Sequence, residues 1–174
     1  ICGANDLKFV IDLGHQVPCD SLPTLKQLNQ EEKTYPLRVF WCEDCCLAQI
    51  DYVVPPGVLF YAEYPYQSGI TPTLVKKLRG LSSTVKEKYS LEPPALVVDI
   101  GSGDGTLLSG FKDLNFKTLG VEPTNIAKIA NKAGIDTIQN FFNEKLAKEI
   151  FKDYGKASVV TASNVFAHIA HLGE

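Results

Sequence analysis

Residues 99–105 read DIGSGDG. Glycine at every second position is poorly suited to a strand or helix interior. It suits a chain that must turn sharply, at positive φ, or pass very close to another group. Ala95 to Val98 form an apolar run just before it, and Ala95 to Ile100 read as a strand of the kind buried on both faces. The residues just after it, TLLSGFKDL from Thr106, have helical spacing. A buried strand, a glycine turn and a helix form the opening unit of an open α/β sheet. In such sheets ligands bind at the carboxyl ends of the strands.

The pattern then repeats. KTLGVEP is a second strand and NIAKIANKAG a second helix, stopped by Gly134. IDTIQNFF is a third strand, NEKLAKEIFKDYG a third helix stopped by Gly155, and ASVVTASNVFAHI a fourth strand running into a loop. Alternating strands and helices predict a parallel sheet with right-handed crossovers. Doubly wound domains generally have five or more strands, so four predict a domain that is incomplete within this chain.

The residues ahead of this domain divide in two. Residues 1–60 are β-rich, with runs at KFVIDLGHQ (before Gly14), YPLRVFWC and CLAQIDYVVPP. Residues 61–91 are a connector, tyrosine-rich at LFYAEYPYQSGITPT with Gly69 and Pro72 as breakers. A helix follows, with Leu74, Leu78, Leu81 and Val85 at three- to four-residue spacing. The α/β domain occupies 92–174.

The glycine loop narrows the cofactor. It is not a P-loop, because no G-K-[ST] follows. A dinucleotide fingerprint places glycine or alanine three residues after its second glycine, and Thr106 stands there. G-x-G-x-G after an acidic residue looks like the first motif of S-adenosylmethionine-dependent methyltransferases. Glu122 ends the second strand, 19 residues after Gly103. A carboxylate there can accept the hydroxyl hydrogens of a ribose, in either cofactor. Without the loop beside it, Glu122 would read as a solvated residue at a strand end.

Cys42 and Cys45 stand at C-x-x-C spacing, at which two thiolates converge on zinc. Small β elements with little core of their own need such a staple. The simpler reading is a pair of reduced thiols. Five cysteines, an odd number, argue against a complete disulfide framework, and no secretory signal is evident, so a reducing, cytoplasmic setting is expected. The net charge of -3, without basic blocks, argues against nucleic acid as a partner. No apolar run approaches the roughly 18 residues of a membrane span.

Taken together, ICGAND, DLGHQVPCDSL, YPLRVFWCEDCCLAQI, YPYQSG, DIGSGDGTLL, GVEPTNIAKIANKAGIDTIQNFF and ASNVFAHIAHL resemble, in order, the sugar C-methyltransferases that act on nucleotide-linked keto-deoxysugars. The resemblance spans essentially the whole chain. It implies a small zinc-binding domain ahead of a Rossmann-like S-adenosylmethionine-dependent methyltransferase domain. It implies structural zinc on two C-x-x-C pairs, with Cys2 as the second member of the first pair and Cys42 and Cys45 as the second pair. The partner of Cys2 would precede Ile1. Cys46, where the family commonly has glycine, and Cys19 are bystanders. For the cofactor, the resemblance implies S-adenosylmethionine above Gly101, Gly103 and Gly105, with Glu122 on the ribose. Pro123, Asn140 and Phe141 would lie around adenine, Asn164 near the methionyl part, and Tyr66 and Ser68 on a connector folded over the cofactor.

The implied reaction is attack of a sugar enolate carbon on the cofactor's methyl group. The family's proton-transfer segment, Y-H-E-H, does not occur here, so the base is expected outside the chain and this piece alone is expected to bind cofactor without turning over. Within the chain, the one candidate base is His168; with His171 it follows the fourth strand, and the expectation for it is to line the pocket or satisfy a hydrogen bond. Three alternatives stay open: an O- or N-methyltransferase of a small molecule with a fused zinc module, a non-catalytic zinc-ribbon binding module, and an NAD-dependent enzyme.

Overall fold

The computed structural model describes residues 2–61 and 63–169. They form two compact units, one built on residues 2–61 and the other on residues 63–168.

In the first unit, strands β1 (Leu7–Gln16), β2 (Tyr35–Cys42) and β3 (Ala48–Ile50) form an antiparallel sheet in that order. Strand β1 runs two residues past Gly14 instead of stopping before it. The pairing with β2 shifts register between Asp12 and His15, and the Gly14 N–H, at φ +74°, turns onto Asp12 Oδ1 at 2.8 Å. Glycine thus makes a bulge here, and the strand continues. The third run yields only three strand residues, because Pro55 and Pro56 open a short helix, α1 (Pro56–Leu59). Among the described residues of this unit, Cys42 alone is buried. Phe9 packs edge-on to Phe40, and Tyr35 stacks on Tyr52, yet Phe9, Ile11 and Leu13 remain about half exposed. So thin a core cannot stabilise 60 residues by apolar burial.

The second unit begins with a turn of 3₁₀ helix at Ser68–Ile70 and helix α2 (Pro72–Tyr89). Pro72 opens the helix at its first position, where a missing N–H costs nothing, and does not break it. Then come β4 (Leu96–Ile100), α3 (Thr106–Asp113), β5 (Lys117–Val121), α4 (Ile126–Lys132), β6 (Thr137–Ile138), α5 (Glu144–Tyr154) and β7 (Val159–Thr161). The four strands are parallel in the order β6-β5-β4-β7. The chain leaves β4 for β5 on one side and returns to it as β7 on the other. The carboxyl end of β4 is therefore the point where strand order reverses, and it is where a crevice opens in such sheets.

Alternation along β4 builds a core on each face. Val97 packs with Leu107, Leu108, Phe111 and Phe116, while Leu96 and Val98 pack with Leu119, Leu146 and Ile150. Helix α2 joins the first face through Leu78 and Val85. Its buried position between them is Ser82, not Leu81, which stays 39% exposed. The reason lies opposite, at Gly110 of α3. A Cβ on Gly110 would stand 2.6 Å from the Arg79 carbonyl oxygen and 2.7 Å from Ser82 Oγ. The helices meet backbone to backbone, and a small residue is needed on each. Gly110→Ala is accordingly expected to destabilise the second unit by roughly 1–3 kcal/mol, despite alanine's better helix propensity. A denaturant melt showing equal or greater stability would refute the close approach.

Candidate functional site

The turn from β4 to α3 holds three consecutive odd-numbered glycines at positive φ: Gly101 at +65°, Gly103 at +54° and Gly105 at +80°. Their bare faces look at different things. A side chain on Gly101 would collide with Val165, just past the end of β7, and one on Gly105 would lie 3.0 Å from Ile135. These two glycines close the turn against the protein. Gly103 differs: among the described residues, a Cβ there would meet only Ser68 Oγ, at 4.0 Å. Its bare face is the cradle a ligand could approach. Gly105 also explains why Thr106 is no obstacle to tight packing. The close packing falls one position earlier, where a Cβ on Gly105, the cap of α3, would press on Ile135.

Glu122, only 7% exposed, stands beside this turn. Its Oε2 accepts the Gly103 N–H at 3.1 Å, and its Oε1 accepts the Thr124 N–H at 2.9 Å and the Thr124 hydroxyl at 2.7 Å. Three of the carboxylate's roughly four lone-pair sites are thus filled from within the chain. Thr124 is fully buried, and its hydroxyl oxygen also accepts the Ile126 N–H at 3.3 Å, at the start of α4. Sequence reasoning passed over Thr124; a hydroxyl two residues past an acid, just before a helix, was the available signal.

Behind the loop lies a second acid. Asp99 is 3% exposed and accepts the Thr161 hydroxyl at 2.6 Å, linking β4 to β7. Burial, with Glu122's charge adding to it against the Thr161 hydrogen bond, pushes its carboxyl up from 3.8 to about 7. Ser102 Oγ, buried in the same turn, has no hydrogen-bond partner among the described residues.

The remaining sequence candidates fall at graded distance from this centre. The Ile138 carbonyl accepts both the Glu122 N–H (3.0 Å) and the Asn140 N–H (3.1 Å), which ties the start of the Asn140–Phe141 segment to Glu122. Asn140 and Phe141 are themselves exposed, and Pro123 is half-buried beside Glu122. Asn164, at φ +56°, precedes the Val165 that covers Gly101. Ser68 is brought to Gly103, whereas Tyr66 is 52% exposed. His168 is exposed in a 3₁₀ turn whose N–H donates to the Val165 carbonyl. His171 lies outside the described residues.

A separate constellation stands in the first unit. Cys2, Cys42 and Cys45 bring their sulfurs within 4.8 Å of one another, with Cys2 and Cys42 at 3.5 Å. Tetrahedral zinc, with Zn–S near 2.3 Å, sets its sulfurs about 3.8 Å apart, so the donor set fits. A knuckle positions the pair: the Cys42 N–H donates to the Leu47 carbonyl, and the Cys46 N–H to the Cys42 carbonyl, each at 3.0 Å. The Ala4 amide, then the Cys45 and Cys42 thiols, lower the Cys2 thiol below its ordinary range. Cys46 closes the knuckle at φ +58°, a conformation suited to glycine, and its sulfur is outside the cluster. All five cysteines are free.

A glycine cradle at the switch point of a parallel sheet, flanked by an acid on the neighbouring strand, defines a nucleoside-cofactor-binding α/β domain. Comparison with known proteins is more particular. Residues 73–174 match a family described as "Methyltransferase domain", and the chain belongs to that family. Residues 1–60 match one described as "Putative zinc binding domain". The chain is also 30% identical over 175 residues to the C-methyltransferase NovU of Streptomyces niveus, covering 100% of this chain and 41% of that protein. It thus spans about two fifths of the length of this curated relative. No helix among the described residues is long and apolar enough to cross a membrane.

Proposed function

We propose that this chain is the zinc-binding and cofactor-binding part of a cytoplasmic S-adenosylmethionine-dependent methyltransferase that methylates a carbon of a nucleotide-linked keto-deoxysugar. The observation that carries the cofactor reading is the open face of Gly103 beside the Glu122 carboxylate. The sugar acceptor is supported by the likeness to a C-methyltransferase and by the zinc-binding module that comes with it. On this reading residues 1–60 are the zinc domain, 61–91 the connector, and 92–174 the first part of the methyltransferase domain.

Bound in the crevice, S-adenosylmethionine would supply an electrophilic methyl group for an enolate carbon of the sugar. The chain's own part is to bind and to align. Gly101, Gly103 and Gly105 let the main chain approach the nucleoside. Glu122 accepts a ribose hydroxyl, on the lone-pair site left free or in exchange for the Gly103 amide. Pro123, Asn140 and Phe141 flank the adenine, Asn164 stands at the methionyl end, and Ser68 and Tyr66 cover the site. No proton-abstracting base is assigned among the described residues; His168 is exposed past β7 and is given no role in proton transfer. Cys2, Cys42 and Cys45 would hold zinc as a structural ion, the usual part of a site built from thiolates alone.

Titration calorimetry with S-adenosylhomocysteine and with NAD tests the reading. Binding of the first and not the second is expected. Glu122→Gln removes the charge and places an amide donor in the carboxylate's place, and should weaken S-adenosylhomocysteine roughly ten- to a hundredfold. Binding of NAD alone, or Glu122→Gln binding as tightly as the parent chain, would overturn it.

A further inference from the structure

Asp104 sits inside the glycine loop with its carboxylate divided between two segments. Oδ1 accepts the Thr106 N–H at 3.1 Å and the Thr106 hydroxyl at 2.6 Å, closing a side-chain turn at the start of α3. Oδ2 accepts the Gly69 N–H at 2.6 Å, from the connector 35 residues earlier. The approach is close. A Cβ on Gly69 would stand 2.9 Å from Asp104 Oδ2 and 3.3 Å from Thr106 Oγ1. The residue before Gly69 is Ser68, whose hydroxyl is, among the described residues, the one group facing the bare side of Gly103 within 4.0 Å.

Such a turn needs only one carboxylate oxygen, and an asparagine or serine would provide it as well. The second oxygen has a different task, since it makes a short, charge-assisted bond to a segment with no other role in α3. We propose that Asp104 is a positioning residue that clasps the YPYQSG connector onto the glycine loop, and so holds Ser68 over the open face of Gly103 where the nucleoside binds. The inference rests on the cofactor reading above. It adds that the crevice has a second wall, and that a single acid fastens this wall to the loop. It also assigns Gly69 a reason: any side chain there would push the clasp apart.

Two variants separate the clasp from the Thr106 turn. Asp104→Asn keeps an oxygen for Thr106 and replaces the acceptor facing Gly69 with an amide donor. Gly69→Ala keeps the Asp104 carboxylate and pushes the connector away by contact with Asp104 Oδ2 and Thr106 Oγ1. Three readouts are taken on the 174-residue chain: the Kd for S-adenosylhomocysteine, hydrogen exchange at the Gly69 amide, and the thermal unfolding midpoint. Each variant is expected to weaken binding roughly tenfold. Each should also speed exchange at residue 69 and leave the midpoint of the second unit almost unchanged. The double variant should bind no worse than the weaker single one, because both break the same contact. Unaltered exchange at residue 69 in Asp104→Asn, or binding losses that multiply in the double variant, would overturn the clasp while the parent chain still binds. Failure of the parent chain to bind S-adenosylhomocysteine would overturn the cofactor reading and the clasp together.

Discussion

Replacing Cys42 with alanine is expected to release zinc from the chain and unfold the first unit, leaving the second folded. The physical reason is the poverty of its core. Among its described residues only Cys42 is buried, and the side chains that should form an apolar interior, Phe9, Ile11 and Leu13, are about half exposed. Structural zinc in small modules contributes an apparent ~10–16 kcal/mol, more than such a core could replace. The single tryptophan gives a local probe, since Trp41 adjoins the proposed ligand Cys42. Its emission should shift to the red in Cys42→Ala, and equally in the parent chain stripped by a chelator. Helical circular dichroism, which arises mostly from α2 to α5, should change little. Cys46→Ser and Cys19→Ser should keep metal content and emission as they were. Stoichiometric zinc in Cys42→Ala would remove the metal site from the account.

Asp99→Asn should make the second unit more stable at pH 8 and leave it equal to the parent chain near pH 4. The Asp99 carboxyl is raised from 3.8 to about 7 by burial, with Glu122 adding to the effect. Between those values the folded chain keeps a proton that the unfolded chain has released. Stability therefore falls as pH rises through this window, by about 1.4 kcal/mol per pH unit, and levels off above pH 7. The accumulated penalty is roughly 4 kcal/mol. Asparagine retains an oxygen for the Thr161 hydroxyl and cannot ionise, so the penalty disappears and the Asp99-dependent slope with it. Urea unfolding of both proteins at half-unit pH intervals measures the difference directly. A gap that does not widen between pH 4 and 7 would show that Asp99 ionises freely in the folded chain.

A carboxyl kept partly protonated by burial is a costly element to retain in a domain core. It stands one residue from the loop that would receive a cationic cofactor, and the Asp99→Asn protein would show whether that cost is tied to binding. Similar affinity for S-adenosylhomocysteine and for the cationic amine analogue sinefungin in both proteins would make Asp99 a purely structural acid.

Much of the second unit is legible in the sequence because its signals are local. The apolar run before DIGSGDG can only be a strand covered on both sides, and Gly134 and Gly155 end helices where a left-handed or irregular residue is required. Alternation of strands with helices leaves few topologies other than a parallel sheet. Where local signals conflict, the sequence misleads. Pro72 reads as a breaker and proves to be the first residue of α2, and Gly14 reads as a terminator and proves to be a bulge. Leu81 fits the helical spacing better than Ser82, yet Ser82 is buried, because the choice is made by Gly110 on another helix.

The site divides along the same line. The sequence alone determines that a glycine turn follows a buried strand and that an acid follows the next, since backbone sterics and two-residue alternation act between neighbours. Tertiary structure alone decides that Glu122 bonds Gly103, that Asp99 meets Thr161 62 residues on, that Asp104 reaches back 35 residues to Gly69, and which glycine keeps an open face. Those meetings depend on strand order and on how each crossover lands on the sheet. Such properties belong to the closed fold, where groups remote along the chain come within bonding distance, and no short stretch of residues carries them.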